Sequence, residues 1–250
     1  MKLINCALCL KPRETLKAKS VASLPVDNIA TIFLPEAANP VKRKKIEDLG
    51  ARIVAEGSSD LAGAFKQAQE YSARPGVYFL NDATDPDLPA GPGTIGLEIL
   101  EQFPTLTAIF VPMGDTALIR GIGAVVKQLA PKVRIVGVQA ERAPSYVLSW
   151  REGKAIPTAT CDTCADGLAT RTPEAENVAA IRQVVDDVVL VSESRLIEAV
   201  RLLYRHESVL AEPAGAAATA AWLDQPRPGR VVMLVTGGNV SDDVRHQAGI

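Results

Sequence analysis

The sequence predicts an α/β fold, a mainly parallel twisted sheet with helices on both faces, and three observations carry that expectation. From Ile29 onward short apolar runs rich in Val and Ile alternate with amphipathic stretches, which is the pattern of βαβ units. Most of those runs are bounded by Gly, Pro or Asp, residues that interrupt a ladder or open a turn. The chain has 250 residues and is 47% apolar, enough for a substantial packed core.

The elements follow in order. Residues 1–27 lack clear periodicity and are punctuated by Pro12 and Pro25, so they stay unassigned and are read as partly disordered. Strands are expected at Ile29–Leu34, Ala51–Val54, Val77–Leu80, Ala108–Pro112, Arg134–Gln139, Val188–Val191 and Val231–Thr236, with helices between them. In the first helix Asn39 is placed to cap, Pro40 suits the first turn, Val41, Ile46 and Leu49 form an apolar stripe, and Gly50 ends it. Lys42, Arg43, Lys44 and Lys45 are then a solvated face, offset by Glu47 and Asp48. The polar, Pro-rich stretch Asn81–Pro92 marks a boundary between a smaller domain over residues 28–80 and a larger one over 81–250.

Composition excludes several functions. With 27 basic and 29 acidic residues the net charge is −2, which gives no field suited to nucleic acid or an anionic membrane. No apolar run approaches the roughly 20 residues of a membrane span, and the start is badly flanked for a signal peptide. The expected location is cytoplasmic and the expected partner a small molecule. Four cysteines form two C-x-x-C pairs, Cys6/Cys9 and Cys161/Cys164. Zinc ribbons set their pairs close together in sequence, and neither pair follows a strand and opens a helix, so reduced, unpaired thiols are expected.

Four segments carry chemistry. Ala108–Pro112 runs through Met113-Gly114-Asp115-Thr116-Ala117 into a helix; backbone N–H groups converge at such a helix entrance, and its dipole favours an anion. Asp115 would repel that anion unless its side chain turns away to cap the helix. Val231–Val235 ends in Thr236-Gly237-Gly238-Asn239, which sets a hydroxyl at the carboxyl end of a strand, where ligands collect in open α/β sheets. Glu212-Pro213-Ala214-Gly215-Ala216-Ala217 puts a carboxylate at the entrance of a helix of small residues, as a cap or a ligand. Gly91-Pro92-Gly93-Thr94-Ile95-Gly96 opens a helix with three glycines, a close-packing device as readily as a binding loop.

In this order and spacing the segments, with Ala30–Glu36 and Ala165-Asp166-Gly167, resemble the threonine/serine dehydratase group of the tryptophan-synthase-β-like, fold type II, pyridoxal-phosphate-dependent enzymes. The resemblance covers Ala30 to Asn239. It implies a lyase of amino-acid metabolism that takes a small hydroxy-amino acid, removes its α-proton, expels the β-hydroxyl, and releases a 2-oxo acid and ammonia. It also implies that Gly114, Asp115, Thr116 and Ala117 hold the phosphate of pyridoxal 5'-phosphate. Thr236 would hydrogen-bond the pyridine nitrogen, which a hydroxyl leaves largely unprotonated. Glu212 matches a carboxylate that binds a divalent cation in some members, although Ala218 stands where those members have a second carboxylate.

The resemblance lacks one part. The family's Ser-Phe-Lys-type segment, whose lysine forms the internal imine, and its Ser-x-Gly-Asn-His-type loop have no counterpart, and Lys17 and Lys19 lie in an unrelated context. No catalytic residue is carried over, covalent attachment of the cofactor is not expected, and residues 28–80 read as the remnant of an incomplete smaller domain. The chain is thus an impaired enzyme or a non-catalytic member that binds a phosphorylated ligand or a partner subunit. Sheet surface left uncovered is expected to drive homo-oligomerisation.

Overall fold

A computed structural model describes residues 30–250, except residues 37, 39, 58–60 and 82. Asn39, Cys6, Cys9 and the whole 1–27 stretch therefore lie outside the described residues. The chain divides into two compact units, one within Leu10–Asn81 and the other including Asp82–Ile250.

In the first unit β1 (Thr31–Phe33) pairs in parallel with β2 (Arg52–Val54), Ile32 opposite Ile53. Helix α1 (Pro40–Asp48) joins them, and α2 (Leu61–Ser72) follows. As expected, α1 begins at Pro40, Ile46 is buried, and Gly50 ends the turn with φ of 81°. Lys44 and Lys45 are exposed and Arg43 partly so, the Lys42 side chain lies outside the described residues, and Arg43 and Lys44 pair with Glu47 and Asp48 one turn on. The strand expected at Val77–Leu80 does not form. Tyr78 is 75% exposed and Leu80 38%, because no strand among the described residues completes a ladder with them.

The second unit is built on a four-stranded parallel sheet in the order β5-β4-β3-β6: β3 (Ala108–Pro112), β4 (Arg134–Ala140), β5 (Asp187–Val191) and β6 (Val231–Met233). Side chains alternate between its faces, as the pleat demands. Phe110, Val136, Val138, Val189, Val191 and Met233 pack into one core. Ile109, Val111, Ile135, Val188, Val232 and Leu234 pack into another. Helices cover both. On the first face lie α7 (Glu193–Glu207) and α8 (Pro213–Asp224). The second face carries α3 (Ala90–Gln102), α4 (Ala117–Leu129), α5 (Ser145–Glu152) and α6 (Ala175–Val184), and α9 (Asp242–Ala248) ends the chain.

Two helices show how composition sets position. Every residue of α8 from Pro213 to Ala221 is buried, which fits a helix of Ala and Gly sandwiched between the sheet and α7. The three-glycine segment proves to be a packing device. Ile122 O lies 3.0 Å from where a Cβ on Gly96 would stand, and Pro89 O lies 2.1 Å from one on Gly121, so α3 and α4 touch backbone to backbone.

Candidate functional site

The sheet order decides where a ligand belongs. From β3 the chain steps outward to β4 and β5, then returns to the other flank of β3 as β6, so β3 and β6 flank a topological switch point with a crevice beyond their carboxyl ends. Their register pairs Phe110 with Met233, and three residues further along each chain this sets Met113 level with Thr236. Both glycine-containing turns therefore open into one crevice.

Close backbone approaches draw the other segments in. A Cβ on Gly114 would lie 2.3 Å from Gly167 O, so the β3 turn rests against the 3-10 turn Asp166–Leu168. A Cβ on Gly167 would lie 2.9 Å from the Ala214 Cβ, and one on Gly215 only 1.4 Å from Thr236 O. Gly237 has φ of 65°, and a Cβ there would meet Glu212 Oε1 at 2.4 Å. Thus Gly114, Asp166–Leu168, the α8 entrance and Thr236–Asn239 form one cluster, although the stretch from Gly114 to Asn239 spans half the chain.

Each predicted site residue can now be placed. Thr116 is the residue before α4 and is 2% exposed. Its backbone is left-handed, with φ of 72°, and its buried Oγ1 has no hydrogen-bond partner. The first amides of α4, from Ala117 on, have no intrahelical acceptor. Asp115 does not cap the helix as expected. Its Oδ1 instead accepts a hydrogen bond from Thr170 Oγ1 at 3.0 Å, because Thr170 lies at hand just beyond the 3-10 turn while left-handed Thr116 occupies the cap position. Thr236 is half-buried at the end of β6, and its backbone N–H donates to Gly215 O.

Glu212 precedes α8 without capping it through its side chain. Its Oε2 accepts from the Asn239 backbone N–H at 3.1 Å, and its own N–H donates to Gly237 O at 3.2 Å. The carboxylate therefore clasps the turn after β6. Among the described residues no group of three or more His, Cys, Asp or Glu is placed to hold a metal ion.

A polar bracket under the β3 turn escapes sequence reading. Asn177 on α6 donates through Nδ2 to Ala83 O at 2.8 Å, to the Tyr146 hydroxyl at 3.2 Å and to Asp115 O at 3.4 Å. Arg120 Nη2 donates to the same Ala83 carbonyl at 3.1 Å. Burial pushes the Tyr146 phenol up, against the pull of its Asn177 and Glu174 hydrogen bonds, and burial lowers Arg120. The available signal was Asn177 itself, four residues before Ile181 on the buried face of α6. On the far side Cys161 and Cys164 are unpaired thiols. Burial and the neighbouring Glu193 push Cys164 up to about 12.

No lysine reaches this crevice within Asp82–Ile250. Lys127 sits in the last turn of α4, where it binds Asp186 and Val133 O. Lys132 lies in the loop leading into the amino end of β4, and exposed Lys154 follows the C-cap of α5.

A crevice between β3 and β6, lined by helix-start amides and a strand-end hydroxyl, is the class of place where open α/β sheets take phosphate-bearing ligands. The profile of the family described as pyridoxal-phosphate dependent enzyme matches residues 29–237, and the chain belongs to that family. Among its relatives, the L-threonine ammonia-lyase of Thermotoga maritima is 35% identical over 213 residues, covering 84% of this chain and 53% of the relative. The L-threonine ammonia-lyase of Geobacter sulfurreducens is 36% identical over 249 residues, covering 92% and 61%. This chain thus spans little more than half the length of those relatives. The solved threonine deaminase isoform 2 of Solanum lycopersicum superposes with a TM-score of 0.85 at 28% identity, over 93% of this chain and 65% of that one. Maize serine racemase does so at 0.78 and 26%, over 93% and 71%. The mainly parallel α/β architecture is therefore that of the fold type II enzymes, whose family depends on pyridoxal phosphate. No helix among the described residues is long and apolar enough to cross a membrane.

Proposed function

We propose that this chain binds pyridoxal 5'-phosphate in the β3/β6 crevice and serves, with impaired efficiency, the ammonia-lyase reaction of threonine or serine. The observation that carries this reading is the convergence of the Gly114 turn, the Gly167 loop, the Glu212 helix entrance and the Thr236 turn at one switch point. The residues fit the group. The first amides of α4, with the orphaned hydroxyl of Thr116, would hold the phosphate, and the Thr236 hydroxyl would meet the ring nitrogen. When bound, the cofactor supplies an electron sink for the substrate's α-carbon.

Glu212 stands where some relatives bind a cation, but its clasp on Asn239 makes loop-holding its main work here. With no lysine at the crevice among the described residues of the second unit, the reading takes cofactor attachment as non-covalent and α-proton transfer as lacking a positioned base, which typically forfeits about 10²–10⁴-fold. The same placement of lysines favours a second reading, a non-catalytic member that holds a phosphorylated ligand or supports a partner subunit. A cytoplasmic location and self-association are part of the reading.

Both readings are tested on the purified chain. Titration with pyridoxal 5'-phosphate, followed by fluorescence, is expected to saturate, with no mass added to the protein after borohydride reduction. Release of 2-oxo acid from threonine or serine is then followed against a protein-free control. Saturable turnover just above that control supports the impaired enzyme, and none supports the non-catalytic reading. Absence of cofactor binding overturns the first reading and confines the second to a partner subunit or another phosphorylated ligand.

A further inference from the structure

The β3 turn contains a fixed negative charge at the place where an anion is to be held. Asp115 follows Gly114 directly and precedes the buried Thr116, so its carboxylate belongs to the turn itself. Both its side chain and its backbone carbonyl are held. Thr170 Oγ1 donates to Oδ1 at 3.0 Å, and Asn177 Nδ2 donates to the Asp115 carbonyl at 3.4 Å. Thr170 is itself tied down: its N–H donates to Leu168 O, and its carbonyl accepts from Ser145 Oγ. The side chain is thereby directed toward the 3-10 loop and fixed beside the turn.

The turn is nonetheless built for an anion on an independent count, since Thr116 keeps a hydroxyl 98% buried (2% exposed) with no partner. Buried polar groups are almost always satisfied, and an exception points to something that completes it. An attractive cradle and a repulsive charge therefore share one turn, and repulsion between a carboxylate and a phosphate dianion grows with the product of their charges.

We propose that Asp115 is a specificity-determining residue of this site, which lowers the affinity of the β3 turn for a phosphate dianion through its charge and leaves the cofactor readily exchangeable. The inference rests on the cofactor-site reading above. The effect lies in the charge itself, and the Thr170 hydroxyl only orients the carboxylate that carries it.

The experiment compares the full chain with D115N, D115G and T170V, measuring inorganic phosphate as a competitor of pyridoxal 5'-phosphate in the fluorescence titration. D115N keeps the acceptor for Thr170 and removes only the charge. D115N and D115G are each expected to bind phosphate about tenfold more tightly at low salt, an advantage that shrinks as salt screens it. T170V keeps the charge and is expected to stay close to the parent.

Equal or weaker phosphate binding by both Asp115 variants overturns the proposal while the site reading stands. A gain that persists undiminished at high salt, or that T170V reproduces, overturns the assignment to charge. If neither the parent nor any variant binds phosphate or the cofactor, the site reading fails, and the proposal with it.

Discussion

The turns after β3 and β6 leave neighbouring strands at the same level, and each sets a residue in left-handed backbone, but they meet that demand differently. The β6 turn uses Gly237, at φ 65°, where the absence of a Cβ makes the conformation free of steric cost and leaves room for the Glu212 carboxylate. The β3 turn uses Thr116, at φ 72°, a β-branched residue for which that region is a true outlier. A strained residue persists only where its surroundings over-determine it. Here they do so through the Gly114–Gly167 contact and the Asn177 bracket. One turn is relaxed and clasped; the other is strained and braced.

The test expected to have the largest effect strikes the packing behind the β6 turn. G215A would set a Cβ 1.4 Å from Thr236 O, an overlap that only backbone movement relieves. A loss of more than about 3 kcal/mol is expected in denaturant unfolding; a loss below about 1 kcal/mol would show that α8 is not seated on that turn.

Next comes the clasp. E212A orphans the Asn239 N–H and is expected to destabilise by about 2 kcal/mol, with faster amide exchange at Gly237–Asn239. E212Q, which keeps an acceptor, should recover most of that loss. Equal losses for the two would mean that charge, not the hydrogen bond, holds the turn.

The comparison is sharpest in a reciprocal pair. T116G relieves the left-handed cost and removes a buried, unpartnered hydroxyl, so it is expected to raise stability by about 1 kcal/mol. G237A imposes that cost and is expected to lower stability by about 1–2 kcal/mol. Thermal unfolding of the two variants should move in opposite directions, and a drop for T116G would show that the braced turn uses its threonine.

The smallest effect concerns the loop that backs the β3 turn. Cys164 is pushed up to about 12 by burial and by Glu193, so the neutral thiol is the form the fold prefers. Because the folded value lies above the ordinary thiol value of 9.0, this contribution is complete below pH 9 and is lost as pH rises toward 12. At pH 8 its alkylation should be at least roughly a hundredfold slower in the native chain than after unfolding. Comparable rates, read by mass spectrometry, would mean that the loop opens freely.

Much of the second unit was legible because buried parallel strands write themselves as continuous β-branched runs. Ala108–Pro112 matches β3 residue for residue, and β4 and β5 each gain a single residue. The β6 ladder stops at Met233, although Leu234 still donates to Phe110 O. Val77–Leu80 failed because periodicity reports a strand's sides and not its neighbour. In the site, glycines announced the close approaches, since a missing Cβ is visible in sequence. The Asp115–Thr170 bond and the reach of Asn177 to Ala83 were not legible, because they join residues 55 and 94 positions apart and depend on a loop's path that no local rule specifies.

Thr107, at the foot of β3, donates a hydrogen bond to the carbonyl of Arg230, 123 positions away, and this separation orders events during synthesis. A ribosome that has delivered β3, β4 and β5 has made a sheet whose first strand still offers one bare edge, and such an edge invites pairing with another chain. The crevice does not exist until β6 has emerged and sealed that edge. A pause or frameshift between β5 and β6 would therefore release a chain with most of its core and no crevice.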